Sequence, residues 1–522
     1  METDSSKTNQ EKIDELLEGV ASDVRALLND REKLLRRKPF TRGGKIQQNF
    51  KSNKPVHLGS KIAARHSCIR KEVISQDQYM AELDPYMHSV LFDDNIPSIC
   101  VKTAESGVQE IKFVKAAQPF QQCIMEKQTL HMACLPMKFT LADKKPTESV
   151  QSDFVTFKHY WDLRNQDGMK VKMVAAAKSF GDAGLLYYID RHGEIKSRLI
   201  SYEDGYVICS HNDENGDRML EVVYYTDSDG NEVIDAWDDN NFYRLTMMDG
   251  TDAYELQVSS HPFGEIPLIT KRTTVAWDKG QTLIESYERL DNIFKVLQNK
   301  FGWGLLWVKG RIDPKAKKIA GNIVLTDTSY DGKGDAKFLE PPSPQNTIDT
   351  LDQIFAQIQI ATGTTFILPK DIHTSSDISG VAVQMTQSLD IQTAKNGIGE
   401  WQNVADKMVR LFKRGLAVEL VQKGIKDDAI TEFDKMNINA QFDIWQPFSE
   451  MEYNQGLATM KQAGILSQRT AIEANTISRP DEVERVKQEQ EELAQKELDK
   501  LEKTGAINAK YASKSTNSNQ DK

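Results

Sequence analysis

Six carboxylates crowd one short stretch of this 522-residue chain: Asp227, Asp229, Glu232, Asp235, Asp238 and Asp239. At such spacing they could hold a divalent cation, and a held cation could activate water for a nuclease or hydrolase. The register argues otherwise, because a calcium-binding loop needs glycine at its sixth position and Gly230 is fourth counting from Asp227. Asp-Gly and Asn-Gly pairs recur on both sides, so solvated hairpin turns explain the carboxylates better. The nine histidines, His57, His88 and His159 among them, are far apart, and Cys68, Cys100, Cys123, Cys134 and Cys209 form no C-x-x-C pair. H-E-x-x-H, G-x-S-x-G and G-x-G-x-x-G are missing, and Gly44-Lys45 and Gly332-Lys333 lack the flanking residues of a phosphate-binding loop. The sequence predicts no catalytic centre, no metal and no cofactor.

Cations are the other possible binders. Lys309, Arg311, Lys315, Lys317 and Lys318 cluster beside Trp303 and Trp307, a composition that suits an acidic partner or nucleic acid. Arg36, Arg37, Lys38, Arg42 and Lys45 follow the first apolar stretch and read as a solvated basic linker. The whole chain carries 66 Lys and Arg against 77 Asp and Glu, a net charge of -11, which disfavours gripping nucleic acid over the entire surface. The remaining tryptophans, Trp161, Trp237, Trp277, Trp401 and Trp445, read as core or subunit-interface residues.

The elements that must position these groups follow from periodicity. Apolar residues at helical spacing predict a helix over 10–35, others through Pro119 to Leu130 and Ser152 to Arg164. Apolar runs from Leu185 onward alternate with Asp-Gly and related turns as far as Val258, which predicts one antiparallel meander, closed by His261-Pro262-Phe263-Gly264-Glu265-Ile266-Pro267. After Asp278 the period changes: Leu283, Ile284, Tyr287, Leu290, Ile293, Phe294, Leu297 and Phe301 predict an amphipathic helix of about 20 residues. A glycine-rich unit with short strands ends at Pro341-Pro342, and a second helix carries Ile348, Leu351, Ile354, Phe355 and Ile358 as far as Thr362-Gly363. A polar loop between Pro369 and Gly380 precedes a long helix from about Val381 to Val421, in which Gly397 and Gly399 predict a kink or close packing. Residues 449–503 read as helical and charged, and 513–522 as disordered. The length prior suggests three or four folded units. No stretch is apolar enough to span a bilayer and residues 1–30 lack a signal-peptide core, so the expectation is a protein neither secreted nor membrane-embedded, with reduced thiols.

In this order the pieces resemble the portal proteins of tailed double-stranded DNA bacteriophages, of the long-tailed type, with gaps, from about residue 120 to 500. The meander and its His-Pro-Phe-Gly-Glu-Ile-Pro close are similar to the family's wing, and the helix, turn-rich unit and helix succession to stem, clip and stem. Ser379-Gly380-Val381-Ala382-Val383 resembles the phrase opening the family's long helix after its tunnel loop. Gly464-Ile465-Leu466-Ser467 with Thr470, then Asp481-Glu482-Val483-Glu484-Arg485, resemble its crown signature.

The resemblance implies an α+β portal fold. Its parts would be an N-terminal helix and basic linker (1–60), a wing of β-meander plus helices (61–277), stem helices at 278–302 and 344–362, a small α/β clip (303–343), a tunnel loop (363–379), a long wing/spine helix (380–440), a helical crown (441–503) and a disordered tail (504–522). It implies a homo-oligomeric ring, usually of twelve, around a channel that conducts double-stranded DNA during packaging and ejection. Twelve chains at -11 carry -132 formally, and a lumen without strong positive charge lets DNA slide. Lys370, His373, Thr374, Ser375 and Ser376 would make weak, exchangeable phosphate contacts in the tunnel loop. The stem stripes, Leu283, Leu290, Ile293, Phe294, Leu297, Leu351, Ile354, Phe355 and Ile358, would be completed by neighbouring copies. The basic run of the clip would meet the terminase large subunit and a head-tail connector or adaptor protein, and the wing the major capsid and scaffolding proteins, with no membrane partner. The expected location is the virion's portal vertex, and the host cytoplasm during assembly. The competing readings are a non-viral scaffold or adaptor without a channel and a metal-dependent hydrolase built on the Asp227 to Asp239 cluster.

Overall fold

The computed structural model describes residues 76–500 apart from 97–98, 104–106, 112–113, 144–145, 213–216, 229–230, 248–253, 302–304, 310–317, 320–321, 324–334, 340–343, 367–386, 447–449, 476–481, 484 and 497–499. The expected helix over 10–35, the basic linker and residues 513–522 lie outside the described residues. The chain divides into two compact units, one formed by the chain up to Phe366 with Gln387–Trp445, the other by Ile367–Thr386 with Gln446 onward.

In the first unit, helix α1 (Phe120–Ala133), α2 (Glu148–Leu163) and α3 (Gln166–Phe180) precede the sheets. Thr147 caps α2 by accepting the Val150 amide, and Gly181 ends α3 at φ 76°. The strands then run β4 (Asp182–Ile189), β5 (Ile195–Ile200), β6 (Val207–Asn212), β7 (Arg218–Thr226), β8 (Glu232–Trp237), β9 (Asn241–Met247), β10 (Tyr254–Ser260) and β11 (Leu268–Arg272), after β1 (Ile99–Thr103), β2 (Gly107–Ile111) and β3 (Lys138–Leu141).

The expected single meander is two sheets. Strands β6 to β10 form a five-stranded antiparallel meander, while β11 returns beyond the His-Pro-Phe-Gly-Glu-Ile-Pro turn to pair with β4, giving a second sheet in the order β11-β4-β5. The two sheets share a core in which Ile208 and Val223 of one meet Leu186, Ile200 and Leu268 of the other. The opposite face of the meander buries Val207, Cys209, Val222, Tyr224, Ile234, Tyr243 and Leu245. Strands β6 and β7 are thus buried on both faces, which is why their sequences are continuous apolar runs and not alternations.

The acidic stretch also departs from expectation. Glu232–Trp237 is a strand inside the meander and Asp235 is only 4% exposed. Its cross-strand partner Arg244 donates to both carboxylate oxygens at 2.8 and 2.9 Å, and the Tyr225 hydroxyl donates at 3.1 Å. Pairing with a guanidinium across the ladder is what allows a carboxylate there. Asp227 and Asp238 do organise turns, accepting the Asn231 and Asn240 amides at 2.8 Å each. Asp229 lies outside the described residues.

Helix α4 (Gln281–Phe301) and α5 (Gln345–Thr362) flank strands β12 (Leu305–Lys309), β13 (Lys318–Ile319), β14 (Asn322–Ile323) and β15 (Asp335–Leu339), paired β12 with β15 and β13 with β14. The described residues of the expected α/β clip are therefore strands alone. Helix α6 (Ser388–Gln422) is one uninterrupted α-helix. A Cβ on Gly397 would stand 2.7 Å from the Met132 methyl, so close packing against α1, not a break, accounts for that glycine. The long helix, expected to run to about Val421, ends at Gln422, and α7 (Ala429–Lys435) and strand β16 (Ile438–Gln441), which pairs with β3, fill the rest of the span 380–440.

The main core surrounds the second half of α6, where Met408, Leu411, Phe412 and Leu416 are buried with Phe157, Trp161, Met173, Tyr187 and Phe433. Phe412 meets Trp161 edge-on at 5.2 Å and Phe157 at 5.7 Å. Trp161, Trp237, Trp277 and Trp401 are core residues as expected. The second unit contributes α8 (Glu450–Gln462) and α9 (Gln468–Ala474), the latter capped by Ser467, which accepts the Thr470 amide. Residues 485–496 are helical. No helix among the described residues is long and apolar enough to cross a membrane.

Candidate functional site

The expected site residues fall on α4, α5, the segment that joins them and the segment that follows α5, so the geometry of that pair positions them. At its foot the pair packs into a satellite core of Ile124, Val275, Ala276, Trp277, Ile284 and Ile358. Phe120 at the start of α1 meets Tyr287 edge-on at 5.2 Å and Phe355 at 5.9 Å, so it touches both helices.

Which face of α4 the chain buries is not the face the apolar spacing marks. Gln281, Ile284, Glu288, Asn292 and Val296, three or four apart, are all under 5% exposed. Three of the five are polar, and each has partners on distant segments. Asn292 accepts the Ala116 amide at 2.9 Å and donates to its carbonyl at 2.7 Å. Glu288 accepts the Gln118 amide at 2.7 Å and His88 Nδ1 at 2.8 Å. His88 Nε2 lies 2.7 Å from the Glu82 carbonyl, so both ring nitrogens face acceptors, an arrangement that favours the doubly protonated ring. Burial, the largest influence, pulls the His88 pKa down, yet the hydrogen bond and charge of Glu288 leave it raised above the ordinary 6.5. Residues 82–88 and 116–118 thus form a strap over α4, and the Trp277 indole donates to Glu82 of that strap at 2.8 Å.

The expected stripe lies on an adjoining face. Leu283, Leu290, Ile293 and Phe294 are half-buried and Leu297 is 44% exposed. On α5, Ile354 and Phe355 are half-buried and Ile348 is 37% exposed. Two residues of the expected stripe, Ile358 and Leu351, are already 0% and 9% exposed in the single chain, and Ile284 and Val296 on α4 are 0% and 1% exposed. Ile284 and Ile358 pack with Ile124 of α1 and Trp277, and Val296 packs with Val90 and Ile96.

Beyond Ile358 the chain is anchored tightly. Gly363 at φ 62° ends α5, since only glycine takes this left-handed cap without strain. Gln128 of α1 donates to the Thr362 carbonyl at 2.9 Å and to Thr364 Oγ1 at 3.1 Å. The Thr365 amide donates to both oxygens of the Asp390 carboxylate at 3.2 Å, Lys127 Nζ stands 3.2 Å from that carboxylate and also donates to the Thr365 carbonyl. Thr393 Oγ1 donates to the Gly363 carbonyl at 3.1 Å. The two ends of segment 367–386 are therefore joined. Lys370, His373, Thr374, Ser375 and Ser376 lie within that segment, outside the described residues.

Of the basic cluster, Lys309 and Lys318 lie on strands β12 and β13, opposite Asp335 and Ile323, while Arg311, Lys315 and Lys317 lie outside the described residues. A cavity of about 720 Å³ lies away from this pair, between α6 and strand β16, lined by Gln402, Asp406, Arg410 and Lys413. Gln402 donates to the Ala440 carbonyl at 2.6 Å and accepts the Phe442 amide at 3.0 Å, so it caps the free edge of β16. Among the described residues no group of three His, Cys, Asp or Glu side chains gathers as a metal site.

Sequence spacing misses Glu288, Asn292, Lys127 and Asp390. Their one visible signal is polar residues at i, i+4 inside an apolar helix, at 288 and 292.

The sequence model of the family described as "Phage portal protein, SPP1 Gp6-like" matches residues 110–496. No curated protein matches the chain. Among solved structures, a chain of the "Neck of empty GTA particle computed with C6 symmetry" is similar, with 11% identity, a TM-score of 0.38, and coverage of 67% of this chain and 88% of that one.

Proposed function

The chain belongs to the SPP1 Gp6-like family of phage portal proteins, and on that premise we propose that copies of it close into a ring, expected to be of twelve, at one capsid vertex of a tailed phage. The ring conducts double-stranded DNA during packaging and ejection. One observation carries the reading: the apolar stripe Leu290, Ile293, Phe294 and Leu297 of α4 is left half-buried or exposed, while the adjoining face is fully packed by the chain itself. A helix that closes one face within its own chain and keeps an apolar face beside it is suited to a neighbour of the same kind.

In this reading α4 and α5 are the stem, β12 to β15 belong to the clip, and the two sheets with α2 and α3 belong to the wing. Residues 363–379 are the tunnel loop, with Lys370, His373, Thr374, Ser375 and Ser376 making exchangeable phosphate contacts. The basic run from Lys309 to Lys318 meets the terminase large subunit and then a connector or adaptor protein. Residues 441–503 form the crown, and the wing meets capsid and scaffolding proteins.

The DNA-handling part is tested in assembled particles. Lys370→Glu combined with deletion of 373–376 should lower the amount of DNA packaged and retained. Unchanged packaging and retention would remove the tunnel-loop role.

A further inference from the structure

One face of α1 gathers four segments that are far apart in the sequence. Gln121 donates to Gln281 at the start of α4 at 3.0 Å. Gln128 reaches the Ala276 carbonyl at 3.3 Å and the Thr362 carbonyl at 2.9 Å. Lys127 bridges Asp390 and Thr365 as described above. His131, one turn further on, is 1% exposed, and both polar groups of the Trp445 backbone are held there: the amide donates to the His131 carbonyl at 2.7 Å and the carbonyl lies 3.2 Å from His131 Nδ1. A carbonyl can only accept, so Nδ1 carries the proton. The two rings pack at 5.0 Å between centroids. Trp445 is the last residue of the first unit. From Gln121 to His131 the helix spans about 15 Å.

Lys127 is the critical member. The Asp390 side chain is 1% exposed, and its carboxylate takes the Thr365 amide and the Lys127 ammonium together. Without the ammonium a buried carboxylate keeps its amide donor and loses its counter-charge. The Thr365 carbonyl loses its donor as well.

We propose that α1 is the common mount of this chain. Lys127 is the positioning residue that clamps the end of α5 to the start of α6 at the base of segment 367–386, and His131 is the one that fixes the exit at Trp445. The clamp stands on described residues alone; its bearing on DNA rests on the tunnel-loop reading above.

Hydrogen exchange on the full-length protein tests it with Lys127→Met, Lys127→Arg, His131→Leu and, as a surface control, Lys172→Met at an exposed position of α3. In Lys127→Met the amides of 364–366 and 388–393 should exchange at least tenfold faster, while those of the five-stranded meander keep their wild-type rates. Lys127→Arg should restore most of the protection, because a guanidinium can serve both acceptors. His131→Leu should expose the Trp445 amide and raise exchange at 364–366 by a smaller factor, through α1. Wild-type exchange at 364–366 in Lys127→Met would overturn the clamp, and exchange confined to Trp445 in His131→Leu would overturn the common mount. DNA retention measured on the same variants separates the readings. A loosened clamp with unchanged retention sustains the clamp and counts against the tunnel-loop assignment.

Discussion

Leu297 and Ile358 belong to the same expected stripe system, yet the structure separates them, and their substitution should give opposite phenotypes. Ile358 is fully buried against α1 and Trp277, so Ile358→Ala empties a packed site and should destabilise the protomer by about 2–5 kcal/mol. Leu297 is 44% exposed. Fully burying a leucine is worth about 1.5–3 kcal/mol, so the surface left for a neighbour to cover carries about 1 kcal/mol. A carboxylate placed there adds its desolvation cost, giving about 3 kcal/mol or more per subunit contact, which is roughly a hundredfold in affinity. Leu297→Asp should therefore leave the protomer folded, with an unchanged thermal midpoint, and should yield free protomers of 59.1 kDa in sedimentation or native mass spectrometry. Ile358→Ala should lower the midpoint. Rings that persist in Leu297→Asp at low concentration would refute the reasoning, because the exposed stripe would then have no part in association.

Two further outcomes follow from buried contacts. With a pKa raised in the folded state, His88 contributes stability that is fully present below the ordinary 6.5 and is lost as pH rises through the folded value. Thermal midpoints recorded between about pH 6 and pH 8 should fall more steeply for the wild type than for Glu288→Gln, and equal slopes would contradict the pairing. Gly415→Ala would drive a methyl into Ile195 Cδ1 and within 3.1 Å of Phe263, costing about 1–3 kcal/mol in denaturant unfolding, whereas Gly397→Ala meets only the flexible end of Met132 and should cost less than about 1 kcal/mol.

Local physics was legible in the sequence, and long-range pairing was not. The limits of α4 and α5 follow from apolar spacing and from Gly363, whose left-handed cap stops the helix. The turns at Asp227 and Asp238 follow from side chains that accept amides a few residues away. Helix α3 escaped because Met169, Val171, Met173, Val174 and Ala175 to Ala177 show no clean stripe, the helix being packed by α1, β4 and β5 on several sides. Strand β8 escaped because Asp235 reads as a turn residue until Arg244 is known to stand opposite it. The division into two sheets depends on Leu268–Arg272 pairing with Asp182–Leu186, a contact across some eighty residues with no local signature. The apolar spacing of α4 identifies a real stripe but not the buried face, because Glu288 and Asn292 are buried only through partners on the strap at 82–88 and 116–118.

In the proposed ring, copies of this chain cover the Leu290 to Leu297 stripe around an open axis. Electron microscopy of the purified protein, carried to side-chain detail, tests it most directly. The expected result is a closed ring with a central hole in which Leu290, Phe294 and Leu297 are buried against a neighbouring copy. A solitary particle, or a ring in which those side chains face solvent, would contradict it.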